Sequence, residues 1–76
     1  MANVELFGTA RCEFTREMRD WLDWRGVDFV EYDVERDCEA RARMAAVAGD
    51  ARMVPFLVED GKIVQVGWRG RGCLVD

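Results

Sequence analysis

The chain of 76 residues has no histidine and only three cysteines, Cys12, Cys38 and Cys73. A structural zinc site draws four ligands mainly from those two residue types, so none is expected. Three cysteines at irregular spacing do not make a secreted disulfide framework either. No apolar run exceeds about five residues, far short of the ~20 needed to cross a bilayer as a helix. The first twenty residues lack the apolar centre of a secretory signal and carry Glu5, Arg11, Glu13, Arg16 and Glu17 instead. Basic residues are in deficit, 11 against 15 acidic, and the net charge of −4 argues against nucleic-acid binding as the main role. The setting these absences leave is the cytoplasm, where a cysteine in a special position is more often redox-active or catalytic than structural.

What is present suffices for one small domain over residues 1–76. Half the residues are hydrophobic, although a chain of this size buries only about 60–65% of its unfolded surface. Residues 3–7 form a strand of little polar character, expected in the middle of a sheet. Phe14, Met18, Trp21, Leu22 and Arg25 recur at the 3.6-residue period, which predicts a helix over 13–25 stopped by Gly26. Residues 29–34 alternate, with Val30, Tyr32 and Val34 on one side and Phe29, Glu31 and Asp33 on the other. That pattern predicts a strand nearer an edge, and the short connections make the two strands parallel across a helical crossover. Asp37 caps a second helix over 38–48, closed by Gly49, with Ala40, Met44, Val47 and Ala48 inward and Glu39, Arg41 and Arg43 facing water. After a polar break at 50–52 comes Met53-Val54-Pro55, then a strand over 56–59. Asp60-Gly61 signals a two-residue hairpin leading into a strand over 62–66. The glycine-rich tail, 67–76, has room for one or two helical turns. The order is β-α-β-α-β-β, a small α/β domain with a mixed sheet.

Within that order one residue is placed for chemistry. Cys12 lies in the polar turn between the first strand and the first helix. The first turn of a helix leaves N–H groups unpaired and carries partial positive charge, which stabilises a thiolate over a thiol. Arg11 and Arg16 favour the thiolate, and Glu13 and Glu17 oppose it. A buried, inert thiol is the alternative for any free cysteine, but a polar turn is a poor place for one. Thr15 lies one turn on, where its hydroxyl can reach the sulfur or can be a neutral helix residue. A hydroxyl cannot attack a mixed disulfide, so the local motif cannot release an adduct.

The strand, turn, Cys12-x-x-Thr15 and helix, followed by Tyr32-Asp33-Val34, Val54-Pro55 and Asp60-Gly61-Lys62, resemble the glutaredoxins of the thioredoxin-fold superfamily over residues 3–67. The resemblance implies a four-stranded sheet of order 2-1-3-4 and a cis peptide before Pro55, leaving the Val54 backbone to pair with an extended substrate. It implies thiol–disulfide exchange through Cys12, with no cofactor and with glutathione as a possible co-substrate. Implied partners are glutathione or a protein thiol or disulfide such as a reductase, and the chain is expected as a monomer. The departures are specific. Thr15 replaces the second cysteine of dithiol members, giving a monothiol Cys-x-x-Thr site. Thr9 and Ala10 stand where a lysine and a proline are usual. The segment Gln65-Val66-Gly67-Trp68-Arg69 lacks the Gly-Gly-x-Asp-Asp grip on glutathione. It is more similar to the Ser-Gly-Phe-Arg loop of glutaredoxin-like donors that serve ribonucleotide reductase. The Cys-x-x-Thr motif with a Gly-Arg-Gly-Cys ending also resembles a bacterial group in which selenocysteine can replace the nucleophile.

Substrate contacts are expected from Arg11, Val54, Pro55, Gly67, Trp68 and Arg69. Arg69 and Arg71 suit a carboxylate such as that of glutathione, or are plain solvated charges. Trp68 is either packing or a docking contact for a partner. Cys73 has two readings, a thiol that resolves a Cys12 adduct or a surface or packing residue on a short tail, because its distance from Cys12 is not legible. Cys38 is read as inert. Two rival functions stand beside exchange: a degenerate redoxin acting as a non-enzymatic binding module, and an iron–sulfur carrier. Glu13 and the missing glutathione-grip residues oppose the second.

Overall fold

The computed structural model describes residues 3–49 and 52–75. Its elements run β1 (Val4–Gly8), α1 (Glu13–Trp24), β2 (Val30–Asp33), α2 (Cys38–Ala48), β3 (Met53–Val54), β4 (Phe56–Glu59), β5 (Lys62–Val66) and β6 (Cys73–Leu74). The main sheet has the order β2-β1-β4-β5, parallel between β1 and β2 and antiparallel elsewhere. These are the four strands expected from the sequence, in an α/β thioredoxin-like fold. The numbering differs because the two-residue β3 intervenes. The polar break at Asp50 and Ala51 lies outside the described residues.

β1 is buried along its whole length because both its edges are paired and both its faces are covered. On one face Val4, Leu6 and Leu57 pack against Met18 and Leu22 of α1. On the other, Phe7, Phe56 and Val58 pack against Ala40 and Met44 of α2. Each fully buried leucine or methionine in these layers stabilises the fold by about 1.5–3 kcal/mol through apolar area removed from water. Phe7 joins three strands, stacking on Tyr32 and on Phe56 with ring centroids 4.8 Å apart in both pairs.

The inward face of α1 is shifted from the expected one. Thr15, Met18 and Leu22 are buried, Phe14 and Trp21 are half-buried, and Arg25 is exposed over the Trp21 ring. Thr15 is admitted because Gly8 lies beneath it: a Cβ there would fall inside the Thr15 side chain. Asp37 caps α2 as expected, accepting from the Glu39 N–H at 2.9 Å. Arg43, expected to face water, instead forks onto Glu5 of β1 at 3.0 and 3.1 Å.

The largest correction concerns the tail, which makes a strand and not a helical turn. Trp68 and Arg71 bridge each other across Arg69 and Gly70, both with positive φ (53° and 78°). This is the backbone of a two-residue hairpin turn, as at Asp60 and Gly61 (53° and 81°). The second turn sends the chain back so that β6 lies antiparallel beside β3, with Val54 opposite Cys73 and Met53 opposite Leu74. Val75 then closes the tail, donating to the Arg52 carbonyl at 2.8 Å and burying its side chain with Phe7, Val54 and Phe56.

Candidate active site

Cys12 occupies the N-cap of α1 in an extended conformation, and its carbonyl accepts the first helical bond, from the Arg16 N–H at 3.2 Å. Its own N–H donates to the Thr9 carbonyl at 3.3 Å, closing the turn. The sulfur therefore sits at the positive end of a twelve-residue helix. It is almost wholly buried, with 2% of the residue exposed.

What buries it is Cys73. The two form a disulfide across 61 residues of sequence, with Cα atoms 6.0 Å apart. The open question of the Cys12–Cys73 distance is thus answered by the fold, since β6 is laid against β3 directly beside the α1 mouth. The Val54-Pro55 peptide is cis. The Val54 backbone edge, expected to be open to a substrate, is occupied by Cys73 of the chain itself.

Thr15 is buried, and its hydroxyl oxygen accepts from the Thr9 N–H at 3.4 Å. That contact ties the turn before Cys12 to the helix after it. A hydroxyl that accepts keeps its own proton to donate. Arg11, read as support for a thiolate, is engaged by Glu35 through two bonds of 2.6 and 3.2 Å. The pair is nearly neutral and solvent-exposed on the arginine side, so its net effect on the neighbouring sulfur is small. Glu35 had no signal in the sequence. It is aimed by the Asp33 carboxylate, which accepts from the Glu35 and Arg36 N–H groups at 3.0 and 3.2 Å in a tight polar turn. An open depression of about 180 Å³ over the disulfide is lined by Thr9, Arg11, Glu35 and Leu74 as well as the two cysteines.

The remaining expected contacts fall on the other side of the α1 mouth. Gly67 is buried, donates to the Pro55 carbonyl at 2.7 Å, and has no space for a Cβ, which would lie 2.8 Å from the Arg71 carbonyl oxygen. It joins β5 to the second hairpin. Trp68 packs on Trp21 at 5.6 Å, and Arg69 lies over the Trp68 ring at 5.7 Å from the exposed turn. Together with Glu13, Phe14, Glu17 and Arg71, these two residues line an open cleft of about 470 Å³. Cys12, Thr15, Val54, Pro55 and Cys73 are therefore brought together, with Gly67 bonded to Pro55. Arg11 stands at the rim, and Trp68 and Arg69 form a separate cleft. Cys38 is exposed at the start of α2 and remains a free thiol. Among the described residues, no three His, Cys, Asp or Glu side chains gather as a metal site. No helix among them is long and apolar enough to cross a membrane.

Residues 4–64 match the family model for glutaredoxin. The chain is 41% identical over 54 residues to the Synechocystis sp. protein named probable glutaredoxin slr1562, covering 71% of this chain and 50% of that protein. It is 36% identical over 59 residues to probable glutaredoxin ssr2061 of the same organism, covering 78% and 67%. The chain thus spans about half the length of the first of these relatives. Among solved structures, a variant of the thioredoxin-like protein BC3987 superposes with a TM-score of 0.73 at 27% identity, covering 87% of this chain and 83% of that one. A glutaredoxin from Archaeoglobus fulgidus superposes with a TM-score of 0.67 over 87% and 76% of the two chains. Its 24% identity bears on the fold alone.

Proposed function

From the premise that the chain belongs to the glutaredoxin family, we propose that it is a thiol–disulfide oxidoreductase whose working pair is Cys12 and Cys73. In the reduced chain the Cys12 thiolate attacks a substrate disulfide. A Cys12 mixed disulfide forms and one substrate thiolate leaves, taking up a proton. The Cys73 thiolate then attacks the Cys12 sulfur, releases the second substrate thiolate and forms the Cys12–Cys73 bond. Two electrons pass from the chain to the substrate, and an external thiol or reductase returns them. The observation that carries this reading is the Cys12–Cys73 bond itself, made at the mouth of α1. It gives the Cys-x-x-Thr motif the resolving thiol that Thr15 is not.

Cys12 is the nucleophile because the helix start favours its thiolate. Thr15 is a positioning residue that fixes the turn through Thr9. Val54 and Pro55 present the backbone edge beside the sulfur. Trp68 and Arg69, in the cleft across from it, suit a carboxylate-bearing partner such as glutathione or a partner protein. A reducing cytoplasm, where the pair is cycled and not locked, is the fitting compartment. The domain works as a monomer without a cofactor.

The test is the intact mass of the reduced Cys38→Ser chain, which lacks the exposed free thiol, after exposure to oxidised glutathione at neutral pH, with Cys12→Ser and Cys73→Ser each added alongside. The expected product is a loss of two hydrogens in the Cys38→Ser chain, abolished by either added change. A stable glutathione adduct on Cys12 in the Cys73→Ser chain is expected as the trapped intermediate. Failure of Cys12 to react returns the chain to the binding-module reading.

A further inference from the structure

The residue before Cys73 is a glycine whose surroundings are restrictive. A Cβ on Gly72 would lie 2.5 Å from the Val54 carbonyl oxygen and 2.8 Å from the Met53 Cγ. The backbone angle at Gly72 is not left-handed, so contact with β3 bars a side chain, not conformation. The residue after the cysteine is the opposite case: Leu74 is 82% exposed and touches little. Two places after the cysteine, Val75 is 3% exposed and packed into the core. The strip beside Pro55 therefore grips an extended chain with an unbranched unit, then a cysteine, then an unrestricted residue, then an apolar one.

We propose that this edge of β3 is a docking strip for extended peptides of the pattern Gly-Cys-x-apolar, and that β6 is its intramolecular occupant. The proposal rests on the exchange reading above and adds a substrate class and a gate to it. A peptide pairs with Val54 as Cys73 does, by backbone hydrogen bonds along a strand edge, while flanking side chains set selectivity. The oxidised chain has the strip closed by β6. Reduction breaks the Cys12–Cys73 bond, and an incoming peptide then displaces β6 together with Val75, its own apolar residue taking the Val75 seat. The Cys12 thiolate attacks the peptide disulfide, giving the Cys12–peptide bond and one peptide thiolate. When β6 returns, Cys73 attacks Cys12 and expels the second.

The test uses the full chain with Cys38→Ser and Cys73→Ser, so that Cys12 is the one thiol. The probes are the symmetrical disulfides of the blocked peptides Gly-Cys-Leu-Val and Ala-Cys-Leu-Val, whose thiols are chemically near-equivalent, with oxidised glutathione as a control for Cys12 reactivity. Intact mass gives the equilibrium yield of each adduct. The glycine peptide is expected to be favoured by at least about tenfold, the scale of a single overpacking contact. Because loss of the disulfide could unfold that variant, a second measurement keeps the natural pair. In the Cys38→Ser chain, adding Gly72→Ala should lower by at least about tenfold the dithiothreitol needed to open half the Cys12–Cys73 bond. Equal yields from the two peptides, or an unchanged half-point for Gly72→Ala, overturn the docking strip while exchange at Cys12 stands. No adduct from either peptide or from glutathione overturns the exchange reading itself.

Discussion

Glu5 is a carboxylate in the central strand with only 2% of its surface exposed, held by the Arg43 fork across 38 residues of sequence. The Arg43 hydrogen bonds hold its pKa below the ordinary value, against the opposing effect of burial, and a bond from the Tyr32 hydroxyl adds to the lowering. Burial and the adjacent Glu5 raise the Tyr32 pKa. A carboxyl with a depressed folded pKa contributes stability that is full above its unfolded value near 4.5 and is lost as pH falls through the folded value. Glu5→Gln should therefore cost about 1–2 kcal/mol at pH 7, and the gap to the natural chain should shrink at pH 3. Urea midpoints at the two pH values measure it; a gap independent of pH would show that shape, not charge, matters at this position. In the sequence, Glu5 and Arg43 read only as scattered charges. Nothing local distinguishes a water-facing arginine from one that folds back over a sheet, because the partner is set by how α2 packs.

At the scale of elements, legibility follows how local the cause is. α1, α2 and the hairpin of β4 and β5 were readable because a helical period, the Asp37 cap and Asp60-Gly61 lie within a few residues of what they specify. β3 and β6 were not, because two residues carry no period and each is a strand only by virtue of the other. The turn that delivers β6 also lacked a signal, since Arg69 holds a left-handed backbone (φ 53°) where asparagine or aspartate is the common choice. That position yields a prediction. Arg69→Asn should relieve the backbone and raise stability by about 0.5–1 kcal/mol, whereas Gly70→Ala should lower it by about 1 kcal/mol. Both shifts should appear as changed urea midpoints with unchanged m-values. The candidate site divides in the same way: Cys12 was legible from its place at a helix mouth, whereas the role of Val54 as the strand beside Cys73 was not.

For the whole molecule, the disulfide is a large fraction of what holds a small fold together. A 76-residue chain has a modest core, and closing a loop of 61 residues removes much of the freedom of its unfolded state. The expected contribution is about 2–4 kcal/mol, enough in a domain of this size to move Tm by roughly 10–25 °C. The same free energy has a second meaning. Whatever the bond adds to the folded state over the unfolded one, the folded state returns by favouring bond formation, so a stabler pair is a weaker oxidant. The natural chain should melt lower in reductant, Cys73→Ser should melt at that lower temperature with or without reductant, and neither should lose far-ultraviolet helical signal at 20 °C. The residual fold is expected because the Phe7, Phe56 and Met44 layer and the α1 layer do not pass through the disulfide. A Cys73→Ser chain that is unfolded at 20 °C would mean that the bond is structural first. β6 would then be too costly to release for the gate at β3 to open in each cycle.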